Sequence, residues 1–170
     1  MSIWAGIKHA LNSTLGTKDF KPLDKIISND FKNQWSMYAS DDIYYPLSNL
    51  TGAVYRGESE WFYYPQKFKM NCNGSVRIKG DFFSGLNREG AMAQFAIFKN
   101  ADFVTYYTIS KLEEATVYYD LNFKQGDIIS FGLYASLGSS ADWTSAYNPR
   151  VKNFSLNGTL VNSAFELIQT

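Results

Sequence analysis

The sequence predicts a mostly β chain: an antiparallel β-sandwich of jelly-roll type, preceded by a short N-terminal α-helical segment. Two periodicities and a composition carry this reading. Apolar residues recur every three or four positions before residue 40 and every second position after residue 57. Aromatic residues make up 17% of the chain, with 12 Tyr, 13 Phe and 4 Trp, and such side chains suit a pleated, half-buried surface. The expected division is a helical segment over 1–40 and a sandwich over 41–170.

In the first segment, Ile3, Trp4, Ile7, Leu11 and Leu15 form one apolar stripe. Ser2 is placed to cap the helix and Gly16 to end it. A second short helix is expected from Thr17 or Asp19, with Pro22 in its first turn and Leu23, Ile26 and Ile27 on one face. Phe31 and Trp35 extend the apolar surface. A helix of about 14 residues is marginal alone in water, so the stripe needs cover. The sandwich could supply it, or the same helix in neighbouring chains. The terminal position favours the second, which makes Ile3, Trp4, Ile7, Leu11 and Leu15 the expected oligomerisation residues.

Beyond the break, Val76 and Ile78 alternate with Arg77 and Lys79, and Val117, Tyr119, Leu121 and Phe123 alternate with Tyr118, Asp120, Asn122 and Lys124. Ile129, Phe131 and Leu133 repeat the pattern. This is the signature of antiparallel strands with one buried face. Further strands are expected near 54–64, 67–72, 92–98, 103–109, 150–156 and 160–168. Turn signals separate them, among them Asn73-Gly74, Asn87 to Gly90, Lys99-Asn100, Gln125-Gly126-Asp127, Gly138 to Ala141 and Asn157-Gly158. Eight or nine short strands at such spacing predict two packed sheets.

A length of 170 residues suits one domain with a sizeable core. Lys+Arg and Asp+Glu are both 16, and no basic block occurs, which argues against nucleic acid and against anionic membrane surfaces. No run approaches the roughly 18–20 apolar residues that cross a bilayer, and the first residues lack the basic start of a signal peptide. Neither membrane insertion nor secretion is expected.

Chemistry is sparse. Cys72 is the only cysteine and His9 the only histidine. Serine or cysteine nucleophile arrangements and ordinary zinc sites therefore lack parts. There is no phosphate loop or dinucleotide fingerprint. No cofactor, metal or catalytic residue is expected. Glu58 and Glu60, two apart on a strand, are the one pair that a polysaccharide-degrading enzyme could use. Their plainer reading is a solvated strand edge. Asp81, Asp127 and Asp142 lie near turns, but no spaced ligand loop supports calcium.

Binding surfaces are easier to find. The polar stretch Ser136 to Arg150 carries Trp143 and Tyr147, with Asp142, Asn148 and Arg150 beside them as hydrogen-bonding groups. These five residues are the ligand-binding candidates. The run Trp61-Phe62-Tyr63-Tyr64 is aromatic on both strand faces, Trp61 and Tyr63 on one and Phe62 and Tyr64 on the other. Packing in the core or at an interface is the expected role of this run and of Tyr44-Tyr45-Pro46.

The stretch from Ser2-Ile3-Trp4-Ala5-Gly6-Ile7-Lys8-His9-Ala10-Leu11 through Asn12-Ser13-Thr14-Leu15-Gly16-Thr17, with Asp19-Phe20-Lys21-Pro22-Leu23-Asp24 after it, resembles the start of tail-fibre and baseplate-associated proteins of Firmicutes phages and prophages. That resemblance covers about the first 27 residues. It implies an attachment or trimerisation element on a virion or phage-tail-like particle, synthesised in the host cytoplasm, with other tail or baseplate proteins as partners. The stretch Leu121 to Phe131 is similar to the penultimate hairpin, and Val151 to Thr159 to the closing strand, of jelly-roll heads in phage receptor-binding proteins and carbohydrate-binding modules. This implies a homotrimer that binds a host-surface glycan without catalysis. A purely structural decoration or connector subunit and a polysaccharide-degrading enzyme are the alternatives.

Overall fold

The chain divides into Met1–Trp35 and Ser36–Thr170. The computed structural model describes residues 36–41, 43–55, 58–85, 91–109, 113–137 and 147–169. The expected helices, with Ile3, Trp4, Ile7, Leu11 and Leu15, lie outside the described residues, as does His9.

The described residues form an all-β unit. Its strands are β1 (Ser36–Met37), β2 (Tyr44–Pro46), β3 (Leu50–Thr51), β4 (Ser59–Tyr63), β5 (Gln66–Met70), β6 (Asn73–Phe83), β7 (Met92–Lys99), β8 (Asp102–Ile109), β9 (Glu114–Phe123), β10 (Ile128–Ser136), β11 (Arg150–Asn157) and β12 (Phe165–Gln169). One sheet runs β9–β6–β11, with β2 and β3 on the far side of β11 and β1 parallel to the start of β6. The other runs β8–β7–β10, with β4 and β5 sharing the far side of β10 and β12 beyond β5. From β2 to β12 the chain passes back and forth between the sheets, the exchange that defines a jelly roll. The expected β-sandwich is thus the fold. Asn73-Gly74, read from sequence as a turn, instead begins β6, because both residues pair with β1 and Gly74 also faces Phe123 of β9.

The period of two predicts the burial. Val76, Ile78, Gly80 and Phe82 of β6 point inward, as do Val117, Leu121 and Phe123 of β9. Between the sheets lies a cluster of phenylalanines: Phe68, Phe82, Phe95, Phe131 and Phe154. Phe131 of β10 meets Phe154 of β11 edge-on, with ring centroids 4.9 Å apart, and Phe154 also contacts Phe95 at 5.6 Å. Edge-to-face aromatic pairs add roughly 0.5–1.5 kcal/mol beyond the area they bury.

Strict alternation cannot bury both Val151 and Phe154, three residues apart. A bulge in β11 between Lys152 and Ser155 does so, with Asn153 at φ 48° absorbing the extra residue. The Asn153 amide donates to Asp81 Oδ2 at 2.7 Å and ties the bulge to β6. Cys72 is a buried thiol, pushed up in pKa by burial, as a structural cysteine should be.

At one end of the sandwich two turns are clasped together. Asn100 and Ala101, with φ of 56° and 71°, make the two-residue turn between β7 and β8. Asn100 donates to Asp127 Oδ1 at 2.8 Å, and Asp127 Oδ2 accepts the Lys124 N–H at 2.8 Å. Burial pushes the Asp127 carboxyl up, but these hydrogen bonds and the Lys99 and Lys124 charges outweigh it and hold it below the usual carboxylate range. Its stabilisation is therefore fully present above the unfolded carboxylate value of about 3.9 and is lost as pH falls through the lower folded value. Asp127→Ala is expected to lower stability by roughly 1–3 kcal/mol at pH 7. Urea melts at pH 7 and at about pH 3 check this, since the gap between wild type and variant must narrow in acid.

Candidate aromatic binding face

The outward positions of β4, β10, β7 and β8 follow from the pairing register. Trp61 lies opposite Tyr134, and Tyr134 opposite Gln94. Tyr63 lies opposite Gly132, Gly132 opposite Ala96, and Ala96 opposite Tyr106. Ser130 lies opposite Phe98, and Phe98 opposite Phe103. The outer surface of this sheet is thus largely aromatic.

Trp61 is its centre. Its ring lies 5.9 Å from Tyr63 in a stacked pair, 5.2 Å from Tyr134, 5.8 Å from Phe98 and 5.6 Å from Phe103. Phe98 and Phe103 pack at 4.6 Å. Trp61 can lie this low because residue 132 is glycine. A Cβ there would stand 3.0 Å from Phe98 Cε2 and 3.1 Å from Trp61 Cε3. Phe103 reaches the layer only through a bulge in β8. Ile97 faces Thr105 but Phe98 faces Phe103, so Val104 is the extra residue. Counting by twos inward from buried Ile109 would have put Phe103 in the core.

The layer is not sealed. Tyr63, Phe103 and Tyr106 remain 60%, 59% and 57% exposed. These three rings thus stand open on the outer face of the sheet. Beside it lies a notch of about 460 Å³ lined by Tyr63, Tyr64, Pro65, Lys67, Phe98 and Ser130, among others. Pro65 has no N–H to give to a ladder, and β4 ends and β5 begins around it. β10 accordingly pairs with β4 over Gly132–Ser136 and with β5 over Ile128–Ile129, and the notch lies where the partner changes. Its size falls within the roughly 300–1,000 Å³ usual for small-ligand sites.

The other sheet shows a different outer face. Arg77 grips Asp120 with two hydrogen bonds, of 2.8 and 2.9 Å, and reaches Asp41 at 3.1 Å, while its guanidinium covers the Tyr118 ring at 4.3 Å. Asp120 in turn drives the Arg77 pKa further up. The hydrogen bond from Lys79, chiefly, holds Asp41 below the usual carboxylate range. Asp81 accepts from Thr116 and Asn153. The charges of this face are largely paired with one another.

The sequence-derived ligand candidates divide. Asp142 and Trp143 lie outside the described residues. Tyr147 is buried and pairs its backbone with Val54. Asn148 is exposed. Arg150 lays its guanidinium over Phe83 at 4.6 Å, and its buried Nε has no hydrogen-bond partner. Tyr147, Asn148 and Arg150 belong to the β11 side, away from the aromatic layer of the opposite sheet. Glu58 closes a turn, its Oε2 accepting the Tyr55 N–H at 3.0 Å. Among the described residues no three His, Cys, Asp or Glu side chains gather as metal ligands, and no helix is long and apolar enough to cross a membrane. Phe98, Phe103, Tyr134, Gly132 and Lys67 were not singled out from sequence. Their alternation in each strand was a usable signal, but the register joining them was not.

No protein-family model matches the chain, and no curated protein matches it. Among solved structures, it is similar to part of dimeric latent PorU from Porphyromonas gingivalis, at 9% identity and a TM-score of 0.34, over 71% of this chain and 14% of that one.

Gly132→Val is expected to lift the Trp61 ring and raise its exposure. Overpacking of this kind costs typically about 1–3 kcal/mol. Tryptophan fluorescence should shift to the red and iodide quenching should increase while far-ultraviolet circular dichroism stays unchanged. An unaltered fluorescence spectrum would mean that the glycine does not position the ring.

Proposed function

We propose that this protein is a non-catalytic binding subunit of a phage tail or phage-tail-like particle, assembled through its N-terminal segment, whose sandwich takes a host-surface saccharide on its aromatic face. The observation that carries the binding part is the layer of open rings, Tyr63, Phe103 and Tyr106, packed with Trp61, Phe98 and Tyr134 beside a notch of about 460 Å³. A pyranose presents an apolar C–H face and a rim of hydroxyls. Flat rings with polar groups at their edge match both. Tyr63, Tyr134 and Tyr106 carry hydroxyls as well as rings, and Gln94 and Thr108 hydrogen-bond each other at 3.2 Å beside them.

The particle context rests on the resemblance of the first 27 or so residues to phage tail proteins. The binding role over a hydrolytic one is supported by several carboxylates of the sandwich, though not by Glu60, which lies exposed on β4. Asp41, Asp81, Asp120, Asp127 and Glu166 accept hydrogen bonds from neighbouring strands or turns, and Glu58 from its own turn.

Two measurements test this reading. On an array of bacterial capsular and cell-wall saccharides, the full chain should bind, and Tyr63→Ala should weaken binding tenfold or more, about 1.4 kcal/mol per factor of ten. Binding that survives Tyr63→Ala would move the site elsewhere, and no binding at all would favour a structural subunit. In light scattering coupled to size exclusion, the full chain should run as a trimer, and replacement of Ile7 and Leu11 by Ser should dissociate it. A wild-type monomer at micromolar concentration would remove the assembly claim.

A further inference from the structure

We propose that the saccharide taken by the aromatic face is acidic, and that Lys67 at the rim of the notch pairs with its carboxylate or phosphate group. This deepens the aromatic-face reading and rests on it. The argument comes from which cations are left over. Lys69 pairs with Glu166 at 2.6 Å, Lys79 with Asp41 at 3.1 Å and Lys99 with Asp127 at 4.0 Å, while Arg77 holds Asp41 and Asp120. Lys67 makes no ion pair or side-chain hydrogen bond with any described residue.

It is nevertheless half-buried and lines the notch with Tyr63, Phe98 and Ser130. Outward placement follows from its strand, since Phe68 and Met70 point into the core and Lys67 and Lys69 alternate with them. Its neighbours on the flanking strand β12 are Ile168, directly opposite, and Gln169, so no acid faces it there. Glu166, the acid of β12, is taken by Lys69. An ammonium that lines a notch with aromatic rings and pairs with no described residue can anchor an anion. A charge-assisted hydrogen bond in a partly desolvated notch is stronger than a neutral one. The flanking rings would meanwhile hold the sugar's apolar face.

The test uses the full chain and the same saccharide array, extended to include uronic-acid polymers, their neutral methyl esters, and phosphorylated saccharides. The strongest ligands should be acidic, and the carboxylate and phosphate arms identify which anion is preferred. Lys67→Gln should weaken acidic ligands about tenfold, Lys67→Arg should retain most of the binding, and raising salt should weaken wild type but hardly affect Lys67→Gln. Lys67 alternates with the inward Phe68 and Met70, and thermal melts should show both variants folded. Neutral ligands bound as tightly as acidic ones, with Tyr63→Ala still abolishing binding, would overturn the charge assignment and leave the aromatic-face reading standing. Acidic ligands indifferent to Lys67→Gln would overturn it equally. Failure to bind any saccharide would overturn both.

Discussion

The two sheets are joined at their centre by the edge-on contact of Phe131 with Phe154, and that contact depends on one extra residue in β11. Without the bulge at Asn153, Phe154 would share the outer face with Lys152, and the core would lose the ring that touches Tyr64, Phe95 and Phe131. The bulge is held by side chains as well as by backbone, since Asn153 is bonded to Asp81 and Asp81 to Thr116 on β9. A polar relay across three strands therefore sustains an apolar contact on the opposite side of the same sheet. Its cost is backbone strain at a non-glycine residue with positive φ, which asparagine tolerates better than most residues.

The outer face of the second sheet depends on the same core. Once Ile129, Phe131 and Leu133 of β10 are packed inward, Ser130, Gly132 and Tyr134 must point outward. Gly132 then leaves the space in which Trp61 lies, and Trp61 organises the rings around it. The second bulge, at Val104, adds Phe103 to the layer by the reverse of what happens in β11: there a phenylalanine is turned in, here one is turned out. Both devices cost a ladder position, and the site is built on paired strands instead of a loop, which limits its freedom to move.

The sandwich was legible in the sequence because alternation is a local signal. Val76-Arg77-Ile78-Lys79 and Val117 to Phe123 declare their faces without reference to any other strand. Trp61 and Tyr63 could be assigned to one face and Phe62 and Tyr64 to the other for the same reason, and Tyr64 is indeed a core residue. The aromatic face was not legible. It is assembled from four strands whose register is set by distant pairings, and Phe103 reverses its expected face through a bulge with no glycine to announce it. Asn73-Gly74 misled in the other direction: a dipeptide that favours a tight turn is here a strand start, because β1 approaches so closely that a Cβ on Gly74 would stand 1.9 Å from the Met37 carbonyl oxygen.

The contrast between the two outer faces argues for a division of labour. Arg77, Lys79, Asp41 and Asp120 neutralise one another, and exposed pairs of that kind add little stability. Their effect is to leave a well-hydrated surface with little unspent charge. The aromatic face holds exposed rings and the Lys67 ammonium, which pairs with no described residue. A chain with equal numbers of acidic and basic residues has no net charge to draw an anionic ligand from solution. Any preference for acidic sugars must then arise at contact, from the placement of Lys67 beside the rings, and should show more in the lifetime of the complex than in its rate of formation. On the proposed particle, presenting several such faces would multiply that lifetime through avidity.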